Sequence, residues 1–199
     1  MEKKITISSI LTNGFTIGIQ NAASLIGAIV LWILTIWIPY INIGTTIAIV
    51  TLPIEMSKGK IFSPLSIFDK KYYSFMGEYF LLMGLMFSGI IIGMIFFIIP
   101  GYVIAIAWSL AVYLLIDKKL NPMEALSASN KMTMGYKWTI FLALFILGIA
   151  FYILAFIFMK IPVLGAILII LLYVALLAVI MGCNAYIYKT LSEDKVSEE

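Results

Sequence analysis

The chain has 199 residues, of which 63% are hydrophobic and 12% charged, and its mean hydropathy is +1.12; soluble domains run at about 45–50% apolar and about 25% charged. So few polar side chains cannot cover a water-soluble surface of this length, which excludes a soluble catalytic domain and points to an integral membrane protein. All 13 basic residues are Lys, with no Arg and no His, so guanidinium clamps, His triads, His metal sites and imidazole pH switches are absent, and the single Cys183 excludes an internal disulfide or a multi-Cys metal cluster.

Along the chain, the N-terminal stretch carries Lys3 and Lys4, but Ser8, Ser9, Thr12, Asn13, Gln20 and Asn21 interrupt the apolar core that a cleavable signal requires, so it reads as retained. A bilayer core needs roughly 20 apolar residues per helix. Segments near 18–38, 78–99, 138–159 and 163–185 meet this readily. The stretch 101–116 is shorter and continuously apolar, and Pro100-Gly101 is expected to part it from the preceding helix in a tight hairpin turn. The segment 41–57 is the weakest, broken by Thr45, Thr46, Thr51 and Pro53.

The lysines give an orientation. Lys3 and Lys4; Lys58, Lys60, Lys70 and Lys71; Lys118, Lys119, Lys131 and Lys137; and Lys189 and Lys195 fall in alternate connections, and only Lys160 falls in the others. Positive residues accumulate on the cytoplasmic side. The pattern therefore predicts an even number of crossings between clusters, both termini in the cytoplasm, and six spans in a prokaryotic inner membrane.

A repeat underlies this order. Pro39, Pro100 and Pro162 are 61 and 62 residues apart, each in an uncharged or nearly uncharged outer turn, and Gly14, Gly77 and Gly135 are separated by 63 and 58. Ser63-Pro64 and Asn121-Pro122 each place a cap before proline, and Glu124 completes a capping box with Asn121. The expected fold is an all-α polytopic bundle of six transmembrane helices in three hairpin repeats, with cytoplasmic interfacial helices. It forms a single domain over 1–199, with units at about 5–62, 63–120 and 121–190 and a short polar tail at 191–199. Leu65, Phe68, Tyr72, Phe75, Met76 and Tyr79 share one helical stripe, which predicts an amphipathic helix over 64–77 in the headgroup plane. Weaker versions are expected at Ile7–Phe15 and over 122–135.

No ionisable residue falls at mid-depth. Glu55, Glu78 and Asp117 lie near cytoplasmic helix ends, with Glu78 in reach of Lys70, Lys71 or Lys137. Gln20, Asn21 and Ser24 in the first span and Asn184 in the last have two readings, as interhelical hydrogen-bonding glue or as the wall of a cytoplasm-facing polar cavity. Trp108, within the fourth span, needs a partner for its indole N–H or a place beside a cavity. Gly89-Ile-Ile-Ile-Gly93 is a close-packing motif, with related spacings at Ala23/Gly27 and Ala178/Gly182, and internal packing is favoured over packing between chains. Trp37, Tyr40 and Tyr102 are assigned to the outer interface, and Tyr72, Tyr73, Tyr136, Trp138, Tyr186 and Tyr188 to the inner one. No HExxH or nucleotide-binding loop occurs, and no acid, base or nucleophile pair has a diagnostic spacing.

The segment from Ile98 to Trp138 resembles a broad family of prokaryotic six-span proteins, mostly of unknown function, that includes the YciC-like proteins and the membrane domain attached to some glycerophosphoryl diester phosphodiesterases. The resemblance rests on Ile99-Pro100-Gly101, Asp117, the helix start from Pro122 to Ala125-Leu126, Ser129, and Gly135-Tyr136-Lys137-Trp138. It covers about 40 residues well and the remainder in topology only. It implies architecture and no activity, because the phosphodiesterase chemistry of fused relatives belongs to a soluble domain that has no counterpart in these 199 residues.

The expected function is accordingly a non-enzymatic scaffold or partner- and lipid-interacting module in envelope maintenance, with membrane lipids and another membrane or cytoplasmic protein as partners, no nucleic acid, and no cofactor or metal. The alternative is a small transporter, channel or lipid-handling protein, whose cavity or partner site would use Gln20, Asn21, Glu78, Trp108 and Asn184.

Overall fold

The computed structural model describes residues 5–162 and 164–196, with side chains up to Glu193. Lys3, Lys4, the Lys195 side chain and the end of the polar tail lie outside the described residues. Helices and turns make up the whole described chain: α1 Ile7–Leu34, α2 Pro39–Ser57, a 3-10 turn Pro64–Phe68, α3 Lys70–Ser74, α4 Met76–Phe96, α5 Ile98–Ala107, α6 Ala111–Asp117, α7 Pro122–Thr133, α8 Lys137–Phe158 and α9 Leu164–Val196.

Five helical stretches are long and apolar enough to cross a membrane: α1, α4, α5 and α6 together, α8, and α9 up to Glu193. Their outward faces carry Phe80, Phe87, Ile92 and Phe96 on α4 and Phe145, Ile149, Ile153 and Phe156 on α8, all exposed. In water these rows would be a severe liability, whereas in lipid they face a solvent as apolar as themselves. The architecture is that of a multi-pass membrane protein.

The helix starts follow local chemistry. Thr6 caps α1 by accepting from the Ser9 backbone N–H at 3.1 Å, and the Ser9 hydroxyl accepts from the Thr6 N–H at 3.0 Å. Asn121 and Glu124 make the same reciprocal pair at the start of α7, at 2.9 and 3.1 Å, with Pro122 in the first position. Pro39 opens α2, where the missing N–H would have had no helical partner. The threonines that weaken the apolar run of α2 are all satisfied. Thr46 accepts from the Trp32 indole at 2.9 Å, Thr45 shares a bond with Thr35 at 2.9 Å, and the Thr51 hydroxyl donates to the Ile47 carbonyl at 2.7 Å.

Helix pairs meet through small residues. In α1 and α9, a Cβ on Gly182 would collide with the Gly14 carbonyl, and one on Gly18 would overlap the Ala178 backbone. Gly14-Phe-Thr-Ile-Gly18 is itself a GxxxG motif that the sequence reading passed over, although it is as legible as the one at Gly89. In the α4/α5 hairpin, Gly93 faces the Gly101 Cα and Gly89 faces the Trp108 ring, so Gly89-xxx-Gly93 packs within one chain.

Several expectations are corrected. The chain reverses between α4 and α5 at Phe97, the one residue between them with extended backbone, while Pro100 and Gly101 already sit in the first turn of α5. Pro162 remains in the turn between α8 and α9. The stretch 101–116 is interrupted at Trp108–Leu110. The 64–77 segment is a 3-10 turn and a short α3 parted at Asp69, whose backbone is extended and whose carboxylate accepts from the Lys71 N–H at 3.0 Å. That break splits the predicted stripe: Leu65 and Phe68 are exposed, whereas Tyr72 and Tyr79 beyond the break are buried, and Ile67, off the stripe, is buried in the first part. The assignment of aromatic residues to opposite interfaces also fails, because the Tyr40 and Tyr73 rings lie 5.5 Å apart and Tyr102 lies 6.4 Å from Phe141, one turn after Trp138. The cause is common to both pairs: the connections at 58–75 and 118–136 fold back along the bundle.

A Cβ on Gly182 has only backbone to displace, whereas nothing lies within 4 Å of one on Gly148. Gly182→Ala is expected to destabilise the protein by about 1–3 kcal/mol, the usual cost of overpacking, and Gly148→Ala to be neutral or slightly stabilising from helix propensity. Thermal unfolding of the two variants in the same detergent checks this, and equal melting would refute the close crossing.

Candidate functional site

The two fold-back connections are each pinned by one buried polar side chain. Asn21, 3% exposed on α1, donates to the Ile17 carbonyl at 3.0 Å and accepts from the Phe62 N–H at 3.2 Å. Two turns further along α1, Gly27 gives Pro64 room to pack against the helix. In the second connection α7 runs back along α6, and fully buried Ser129 reaches the break in the helix before it. Its hydroxyl donates to the Ala107 carbonyl at 2.7 Å and accepts from the Leu110 N–H at 3.2 Å, and Thr133 donates to the Ser129 carbonyl at 2.9 Å. An unsatisfied backbone group in an apolar setting costs several kcal/mol. Ser129 removes two such costs at once, which is what permits α5 and α6 to part at Trp108.

These contacts decide the fate of the polar cluster expected from sequence. Gln20 is exposed, Asn21 is committed to backbone, and Asn184 is half-buried on the far side of the Gly14–Cys183 crossing, about two turns from Gln20. The three do not assemble around one space. Glu78 is exposed at the start of α4 without a lysine partner among the described residues; Lys71 pairs with Glu55 at 2.9 Å, and Lys137 donates to Asn130 at 2.8 Å. Trp108 is half-buried against Gly89, at the break that Ser129 bridges.

Six charged residues gather where α2, α6 and α9 end. Glu55 holds Lys58 and Lys71, both at 2.9 Å, and ties the end of α2 to α3. Burial works against the Lys71 charge, but the Glu55 carboxylate outweighs it, so the ammonium's pKa lies above the ordinary lysine value. Tyr188 on α9 donates to Asp117 at the end of α6 at 2.6 Å. Between these pairs lies a pocket of about 410 Å³ lined by Ser57, Lys58, Asp117, Lys189, Ser192 and Glu193. Its mixed charge and wide mouth define no ligand. Among the described residues no three His, Cys, Asp or Glu side chains converge as metal ligands would.

The larger cavity is of another kind. A groove of about 580 Å³ opens between α5 and α8, where Tyr102, Val103 and Ile106 face Trp138, Phe141 and Phe145. That volume falls within the range of about 300–1,000 Å³ typical of ligand sites. The rings form a ladder: Trp138 meets Phe141 edge-on at 5.9 Å, and Phe141 stacks on Phe145 at 5.5 Å. Lys137 is the one charged residue in the lining. α7 packs against α5 and α6, and Met134 and Gly135, which follow it, also line the groove. The aromatic residues at 138, 141 and 145 have the i, i+3, i+7 spacing of one helical face, a signal present in the sequence but read there as an interface anchor at Trp138 alone.

Comparison with protein-family models, curated proteins and solved structures returned no match.

Ser129→Ala leaves the Leu110 N–H without a partner in a buried setting, and is expected to cost about 1–3 kcal/mol. The exposed Ser127→Ala on the same helix should be silent. Detergent melts of the two proteins test this, and an unshifted Ser129→Ala midpoint would show that the helix break does not depend on the hydroxyl.

Proposed function

We propose that the chain is a non-enzymatic, lipid-interacting scaffold of a prokaryotic inner membrane, acting in envelope maintenance through its apolar faces and folded-back connections. The observation that carries this reading is the groove between α5 and α8: an open, aromatic-lined surface with a single cation, suited to an amphiphile or a partner helix. Asn21, Thr51, Ser129 and Thr133 are committed to backbone and Thr35 and Thr45 to each other, which favours a fixed frame over a polar path for a transported solute, although the buried Ser66 hydroxyl has no partner among the described residues. The likeness of 98–138 to the YciC-like six-span proteins belongs to the same proposal.

The topology proposed with it has six crossings, both termini in the cytoplasm, and hairpin units at about 5–62, 63–120 and 121–190. Support comes from the alternation of the lysine clusters and from the length of α2, whose 19 helical residues span roughly 28 Å at 1.5 Å per residue, close to a bilayer core.

Sidedness labelling tests the proposal. In a Cys183→Ala background, single cysteines at Lys60, Lys118 and Lys160 are exposed to a membrane-impermeant maleimide on intact spheroplasts. Lys160→Cys should react from outside, and Lys60→Cys and Lys118→Cys only after permeabilisation. The opposite pattern would overturn the proposed sidedness, and a Trp37→Cys between α1 and α2 that labels from the same side as Lys60→Cys would remove α2 as a crossing.

A further inference from the structure

Lys137 is unusual among the lysines near the groove. It is half-buried in the first turn of α8, and its ammonium meets only the neutral Asn130 side chain, with no carboxylate within 4 Å among the described residues. Exposed Lys131 follows Asn130 directly in the chain. A half-buried cation without a countercharge is costly in an apolar medium, and it is stabilised by an anion that can enter the same medium. Beside it runs the ladder of rings, whose outermost members are open: Trp138 is 70% exposed and Phe145 52%. Each half of the site lacks what one class of molecule supplies. The cation lacks an anion and the aromatic trough lacks an apolar filling, and the two are continuous.

We propose that the α5/α8 groove binds one anionic membrane phospholipid, with its phosphate on Lys137 and an acyl chain lying along Trp138, Phe141 and Phe145 against Tyr102, Val103 and Ile106. This deepens the lipid-interacting reading and rests on it. Charge complementarity selects the anionic class, because a zwitterionic lipid fills the trough equally well but brings the cation no net countercharge. The cavity, at about 580 Å³, is of the order of one long acyl chain and not of a whole diacyl lipid, so the second chain stays in the bilayer. A partner helix fits less well, since it would cover the rings while leaving the ammonium unpaired unless it placed a carboxylate at that one point.

The test uses the full chain reconstituted in phosphatidylcholine vesicles, with tryptophan fluorescence read as brominated-acyl phosphatidylglycerol or brominated-acyl phosphatidylcholine is titrated in. The Trp138 signal is the difference between the protein and its Trp138→Phe variant, which loses an exposed side chain and is expected to fold. Phosphatidylglycerol should quench that signal at about five-fold lower mole fraction than phosphatidylcholine, the preference one lysine near the surface supplies. Lys137→Gln should abolish the preference while quenching by phosphatidylcholine persists. Raising the salt should shrink the preference in the parent and change nothing in Lys137→Gln. Equal quenching by the two lipids in the parent, or an unchanged preference in Lys137→Gln, would overturn the proposal while leaving an integral membrane protein. Loss of Trp138 quenching as the protein-to-lipid ratio rises would also overturn it, by showing a second copy of the chain in the groove. Failure of the protein to float with the vesicles would instead overturn the lipid-embedded reading itself.

Discussion

The constraint on which this structure depends is that backbone amides and carbonyls have no water to fall back on. In a chain with 12% charged residues and mean hydropathy +1.12, most of the polypeptide sits in a medium that cannot hydrogen-bond, and each interruption of a helix must be satisfied from within. The break at Trp108–Leu110 shows the solution. Ala107 and Leu110 lose regular helical partners, and Ser129 replaces both with one hydroxyl. For that hydroxyl to arrive, the chain after α6 must turn back instead of running along the surface, so α7 becomes part of the packed structure and buries Pro122, Ala125, Leu126, Ser129, Met132 and Thr133. Asn21 does the equivalent for the first connection, at Phe62.

The groove follows from the same constraint. α7 packs against α5 and α6, and the start of α8 that follows it places Lys137 and Trp138 beside Tyr102 and Ile106. Against this open side stands the tight one, where Gly14, Gly18 and Gly182 let α1 and α9 approach until backbone meets backbone. That crossing joins the first described helix to the last, and the larger of the two cavities described lies between α5 and α8.

What the sequence made legible was whatever depends on local or compositional physics. The membrane setting followed from charge density, the capping box at Asn121 and Glu124 from spacing, and the close packing at Gly89 and Gly93 from the absence of side chains. What it concealed depended on contacts distant in the chain. Nothing around residue 64 announces that Asn21 holds Phe62, and the stripe from Leu65 to Tyr79 was a fair amphipathic pattern until Asp69, an N-cap residue in its middle, divided it. Ser129 resembled any small polar residue on an amphipathic helix, because its role exists only opposite a helix break that the uniformly apolar run 101–116 hides. Tyr40 and Tyr73 were sorted to opposite interfaces by their distance from lysines and prolines, a rule that fails once a connection climbs back along the bundle.

The position of α2 shows how the two kinds of information bear on each other. By hydropathy it is not one of the five strongest candidates, since Asn42 and Glu55, together with Thr45, Thr46 and Thr51, dilute its apolar run. Yet the threonines are side chains the structure satisfies internally, through Thr35, the Trp32 indole and the Ile47 carbonyl. A hydroxyl that already donates to a backbone carbonyl or accepts from an indole presents little unmet polarity to lipid, so its contribution to a transfer scale overstates its cost in place. Hydropathy therefore underrates helices whose polar residues are paired, and the proposal that α2 crosses rests instead on the lysine alternation, which reads the ends of a segment and not its middle.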